Sequence, residues 1–140
     1  MLVAALLLGT SSADNAGSPL PQAEMCVLLE QSITKLGNEV GSPEAVAAAA
    51  EAAPSASMPA VAVRQRGLRF SGPWGRCRIR LAPGAVATTV DEVRVGPDGL
   101  TAMVAGGWIA GPLLGSGGEC WFRKGATGWQ LVGCLNTWAV

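Results

Sequence analysis

The sequence predicts an α+β fold: two N-terminal helices packed on a curved antiparallel β-meander of about five strands. Three observations carry that expectation. Apolar residues Cys26, Leu29, Ile33, Leu36 and Val40 recur at steps of three and four, as on one stripe of a helix. An alanine-rich stretch then follows a strong helix start at Ser42-Pro43-Glu44. From Val61 onward the period falls to two, and turn sequences rich in glycine and proline recur. Helices that precede a run of strands are expected to lie together on one face of the sheet.

The 140 residues make one domain. A short apolar run, Leu2–Leu8, precedes Gly9-Thr10-Ser11-Ser12-Ala13. It is too short to span a bilayer, which takes about 20 residues, but it matches the apolar part of a secretory signal, with small residues before a cut ahead of Asp14. The basic start usual in such signals is missing; the other reading is a buried or unstructured apolar terminus. Residues 1–13 are therefore assigned to a signal peptide and 14–140 to the domain: helical over 21–53, a connector over 54–60, and sheet over 61–140.

The first helix is expected from Pro21, which suits a first turn, to about Leu36, with Gly37 past its end. Met25 and Leu28 widen its stripe, and Cys26 faces whatever the helix packs on. In the second, Ser42 caps, Pro43 opens the first turn and Glu44 faces the positive end of the helix dipole. Ten of the eighteen residues from Ala45 to Ala62 are alanine, which favours helix but buries little area, so this helix should be weakly anchored. Pro54 and Pro59 end it.

Arg76 to Leu81 alternates, with three arginines on one face and Cys77, Ile79 and Leu81 on the other. Val90–Val95 and Leu100–Ala105 flank the turn sequence Gly96-Pro97-Asp98-Gly99. Gly106-Gly107 is expected to bend or bulge the strand before Trp108, and Gly111 to Gly118 reads as a loop. In the last hairpin, a three-residue loop with Gly128 left-handed sets Cys120 opposite Cys134 and Phe122 opposite Val132. A four-residue loop instead sets Cys120 opposite Gly133 and turns Cys134 to the other face.

Four cysteines without a histidine, in a chain with an export signal, point to two disulfides, for which three pairings exist. Cys26–Cys77 with Cys120–Cys134 is the favoured one. No two cysteines have zinc-finger spacing, so no metal is expected; the remaining reading is four buried thiols acting as small hydrophobes.

The chain has no histidine and no tyrosine, which removes the commonest proton-transfer groups. It also has no nucleophile elbow and no phosphate-binding loop. No catalytic residue and no cofactor is assigned. The neutral net charge conceals an asymmetry: residues 1–63 carry six acids and one base, residues 64–140 nine bases and four acids. Arginines 64, 66, 69, 76, 78 and 80 have no acid between Glu51 and Asp91. Arg76, Arg78 and Arg80 are candidates to grip an anionic envelope component; the plainer reading is a solvated edge strand whose charges discourage pairing. Nucleic acid is not an expected partner. Of the five tryptophans, Trp121, Trp129 and Trp138 are expected in the core, each with its N–H on a carbonyl. Trp74 and Trp108, beside Gly and Pro, are candidates to line an opening for a small apolar ligand.

The pattern Gly128-Trp129-Gln130-Leu131-Val132, after a glycine-rich loop and ending in Thr137-Trp138, resembles small exported bacterial proteins of no assigned function. Over residues 86–140 it also resembles the closing strands of the nuclear-transport-factor-two-like cone fold. That likeness implies helices packed into a concave sheet around a small apolar pocket. Enzymes of the fold use Tyr, His or Asp there; without the first two, no catalytic residue carries over. The expectation is a periplasmic or secreted binding or accessory protein that does not span the membrane. The alternative is a cone-fold enzyme with Asp91 or Glu92 as base in a tryptophan-lined pocket.

Overall fold

A computed structural model describes residues 20–54, 58–63, 65–66, 69–70, 77 and 88–140. The segment 1–13, Trp74, Arg76, Arg78, Arg80 and the expected strand around them, Cys77 excepted, lie outside the described residues. In order, the elements are α1 (Gln22–Ile33), α2 (Pro43–Ala52), β1 (Ala60–Ala62), β2 (Gln65–Arg66), β3 (Arg69–Phe70), β4 (Thr88–Val95), β5 (Thr101–Gly111), β6 (Leu114–Gly125) and β7 (Gly128–Ala139). The fold is α+β. The four long strands β4 to β7 are sequential antiparallel neighbours; β1 pairs along the outer edge of β4, and β2 with β3 forms a separate small ladder. No helix among the described residues is long and apolar enough to cross a membrane.

The helices cover opposite faces of the sheet, not one face as expected. Cross-strand partners share a face, and Ala102–Phe122 and Val104–Cys120 pack with Met25, Leu28, Leu29 and Ile33 of α1. The intervening pair Met103–Trp121 packs with Val46 and Ala49 of α2. The cause is the path between the helices. α1 gives way to a turn through Leu36, and Gly37 adopts φ 85°. The chain then passes the edge of β7, where Val40 and Cys134 exchange both backbone hydrogen bonds at 3.1 and 2.8 Å. Beyond that edge the only uncovered apolar face is the second one. α2 starts as expected, with the Ser42 hydroxyl accepting from the Ala45 N–H at 3.3 Å, and Val46 and Ala49 are its buried residues. Glu44 beside the cap has its carboxyl held below the usual range, first by its backbone hydrogen bond and then by the Ser42 hydroxyl.

The β4–β5 turn forms as its sequence indicates: Gly99 is left-handed at φ 73°, and Asp98 Oδ1 accepts from the Leu100 N–H at 2.9 Å. Two expectations for the glycines fail. Gly106 and Gly107 stay in register opposite Gly118 and Gly117, so the strand is not interrupted there, and β6 begins at Leu114 where a loop to Gly118 was expected. These glycines serve close approach. A methyl on Gly107 would lie 2.5 Å from the Ser116 carbonyl oxygen and 2.7 Å from the Trp138 ring.

The terminal hairpin adopts neither predicted loop. Gly125 and Gly128 close a two-residue turn, and Phe122 faces Leu131, not Val132. Carried on unbroken, that register would put Cys120 opposite Gly133. A bulge between Trp121 and Phe122 leaves Val132 as the extra residue and sets Cys120 opposite Cys134 after all. Because Cys134 turns its backbone bonds outward to Val40, it forms a non-hydrogen-bonded pair with Cys120, the kind in which side chains lie closest.

Candidate functional site

The first turn of α1 and the β6–β7 hairpin meet in a charged cluster. Lys124 and Trp129 are cross-strand partners, which sets the Lys124 ammonium 5.9 Å from the Trp129 ring centroid. Glu24 reaches across from α1: its Oε1 accepts from Lys124 Nζ at 2.6 Å and from Trp129 Nε1 at 3.0 Å. The Lys124 hydrogen bond, above all, holds the Glu24 carboxyl below the usual carboxylate range. Partial burial opposes that shift, while the Trp129 N–H and the Lys124 charge add to it. Trp129 is buried because this pair roofs it, so its N–H is satisfied by a side chain and not by a carbonyl.

Beside this cluster lies a groove of about 550 Å³. Ala23, Val27 and Gln31 form the helix wall, the Gly125–Gly128 turn forms the other, and Glu24, Lys124 and Trp129 line it between them. Small residues in the turn leave the space open, and Val27, at 39% exposure, is an apolar side chain with no cover. Such a site can hold a small molecule by apolar contact with Val27, Ala23 and Ala126, and orient one polar group on Lys124, Glu24 or Gln31. It offers no nucleophile–base pair.

The residues singled out from sequence fall elsewhere. Trp108 is half-buried and its indole nitrogen abuts Gly37, where a methyl would come within 2.8 Å; it closes the joint between the α1–α2 connector and β5 and does not reach the groove. Ser116 seals the same joint, donating from its hydroxyl to the Gly37 carbonyl at 2.6 Å. Trp121 is buried as expected, with its N–H on Glu119 Oε1 at 3.0 Å. Trp138 corrects its expectation: it is 41% exposed, with its ring laid over Gly107 and Gly117. Trp74, Arg76, Arg78 and Arg80 are outside the described residues. Sequence reading missed the groove because its parts are a solvent-edge glutamate, a lysine and a turn. The one available signal was the placement of Lys124 and Trp129 on either side of a tight turn.

Both disulfides form in the favoured pairing, Cys26–Cys77 and Cys120–Cys134, and no cysteine is free. A thiolate metal site is thereby removed, and paired cysteines are those of an oxidising environment. Asp91 is the extra residue of a bulge in β4 and is exposed. Glu92 pairs with Arg94, Oε1 to Nε at 3.3 Å, while Arg94 Nη1 donates to the Met58 carbonyl at 2.7 Å. Compared with protein-family models, curated proteins and solved structures, the chain matches none of them.

Proposed function

We propose that this is an exported, non-catalytic binding protein of the periplasm or the secreted fraction, which takes a small, largely apolar molecule with one polar group in the groove between α1 and the β6–β7 turn. The observation that carries the reading is the groove itself: about 550 Å³, with apolar Ala23 and Val27 beside Gln31 on its helix wall, and with Glu24 and Lys124 already held in place by each other and by Trp129. Groups fixed before the ligand arrives lose little freedom on binding. The two disulfides support the exported location. The bulges in the β4–β7 ladder support the curved form of the sheet expected from the cone-fold resemblance. Against the enzyme alternative stand its own two candidates, since Asp91 faces solvent and Glu92 is committed to Arg94.

The test is native mass spectrometry of the protein isolated from its host, beside a Val27→Trp variant that fills the groove. A small-molecule adduct on the wild-type chain that is absent from the variant, at equal melting temperature, is the expected result. No adduct on either chain, together with no shift in melting temperature across a panel of amphipathic small molecules, overturns the proposal.

A further inference from the structure

The end of the sheet opposite the groove has a different chemistry. From Gly99 to Gly118 there is no charged residue, and from Leu131 to Val140 there is no charged side chain. Within these stretches the exposed large apolar side chains gather. Leu113 is 86% exposed, Ile109 62%, Leu114 55%, Val140 64% and Trp138 41%. They are neighbours in space. Ile109 pairs with Gly115, and Gly115 exchanges backbone hydrogen bonds with Val140 at 3.2 and 3.0 Å. Trp138, two residues before Val140, lies on the same face over the glycine platform. Among the described residues the outermost β4–β5 pair is Thr88–Trp108, and Ala110 to Leu114 extend beyond it to the β5–β6 turn. At about 3.3 Å per residue, that projection is roughly 7–10 Å.

We infer that this hairpin tip, Ile109 to Leu114 with Trp138 and Val140 at its base, docks the protein on a lipid surface by inserting into the interfacial layer. The reach matches the roughly 5–10 Å to which interfacial apolar faces are buried, and an indole at the base of an apolar tip suits the headgroup boundary. The charge pattern selects the same occupant. Glu24, Arg123 and Lys124 sit at the far end of the β6–β7 hairpin, so Ile109 to Leu114 enter an apolar layer without taking a charged side chain of their own out of water. A second copy of the chain is the poorer fit. Five projecting side chains fall well short of the roughly 20–30 residues a side in a stable interface. A head-to-tail contact of the tip with the groove would desolvate the Glu24–Lys124 pair that lines it.

Flotation of the oxidised full chain with phosphatidylcholine vesicles tests this, with phosphatidylcholine–phosphatidylglycerol vesicles at low and high salt alongside. The expected result is flotation with the neutral vesicles, insensitive to salt, and a partition coefficient lowered roughly tenfold or more by Leu113→Asp. Leu100→Asp, at a half-exposed apolar position in the β4–β5 turn, should leave flotation unchanged. Failure to float with neutral vesicles overturns the inference, as does binding confined to anionic vesicles at low salt, or undiminished binding of Leu113→Asp. So does self-association in lipid-free sedimentation that Leu113→Asp abolishes.

Discussion

Under α1 the sheet presents small side chains, Val90, Val93, Ala102 and Val104 around Phe122, to a helix that supplies Met25, Leu28, Leu29 and Ile33; under α2 it presents Met103 and Trp121 to a helix that supplies Val46 and Ala49. The filling is complementary. Under bulky α1 the strands present mostly small side chains beside Phe122 and Trp129, and under α2, where six of ten residues are alanine, one tryptophan and one methionine fill the gap. Interiors close at a fixed packing density, so either partner can carry the volume. The two arrangements differ in how firmly the helix is held. The face under α1 also contains Cys77, Cys120 and Cys134, with Cys26 packed against it, so both cross-links belong to that layer. α2 has a serine cap and two buried residues.

The comparison is sharpened most by removing the cross-links. The Cys26–Cys77 bond spans 51 residues and Cys120–Cys134 spans 14. Loop entropy then gives about 4 and about 3 kcal/mol respectively. Paired Cys→Ala replacement, followed by urea unfolding, should therefore weaken the fold more at the first site than at the second. Next come the helices themselves. Leu29→Ala should cost about 3 kcal/mol, as for a buried leucine in a layer that cannot collapse. Val46→Ala should cost about 1.5 kcal/mol for its two methyl groups. Equal losses would break the distinction between the faces. Hydrogen exchange reads the same contrast without mutation, and α2 amides should exchange through local opening well before those of α1.

The smallest effect lies at the groove. Glu24 has a depressed pKa in the folded protein, so its stabilising contribution is complete above the unfolded value of about 4.3 and fades as pH falls through the folded value. Glu24→Gln should lower stability by less than about 1 kcal/mol at pH near 7. The difference from wild type should shrink as pH falls below the unfolded value and the Glu24 carboxyl takes up its proton. A difference that persists undiminished in acid would assign the effect to packing and not to charge.

Much of the layer under α1 was legible in the sequence, because a stripe at steps of three and four and strands at steps of two each name their own buried face. Ser42 and the Gly96–Gly99 turn were legible for the same local reasons, whereas the expected Cys120–Cys134 pair forms through the bulge at Val132 and not through the three-residue loop it was read from. The second layer was not, since burial of both faces replaces alternation by runs such as Ala102-Met103-Val104, which periodicity reads without telling which helix covers which residue. The glycine strip over 106–118 misled for a physical reason. Glycine marks turns and close approach alike, and only the position of Trp138 decides between them. Of the site, Trp108 was legible as a half-buried residue beside glycines, but its neighbour is the Gly37 backbone. The Glu24–Lys124–Trp129 cluster depends on a contact between residues about a hundred positions apart, which no local pattern encodes.

The extra residue at Val132 has one more consequence. In a hairpin that formed with the same two-residue turn but without the bulge, Cys120 would face Gly133 and Cys134 would point away through the opposite side of the ribbon. With that two-residue turn, it is the bulge that brings the two sulfurs together. The Cys120–Cys134 bond therefore ties the hairpin in the bulged alignment, since sliding the strands by one residue past each other would require the bond to be broken.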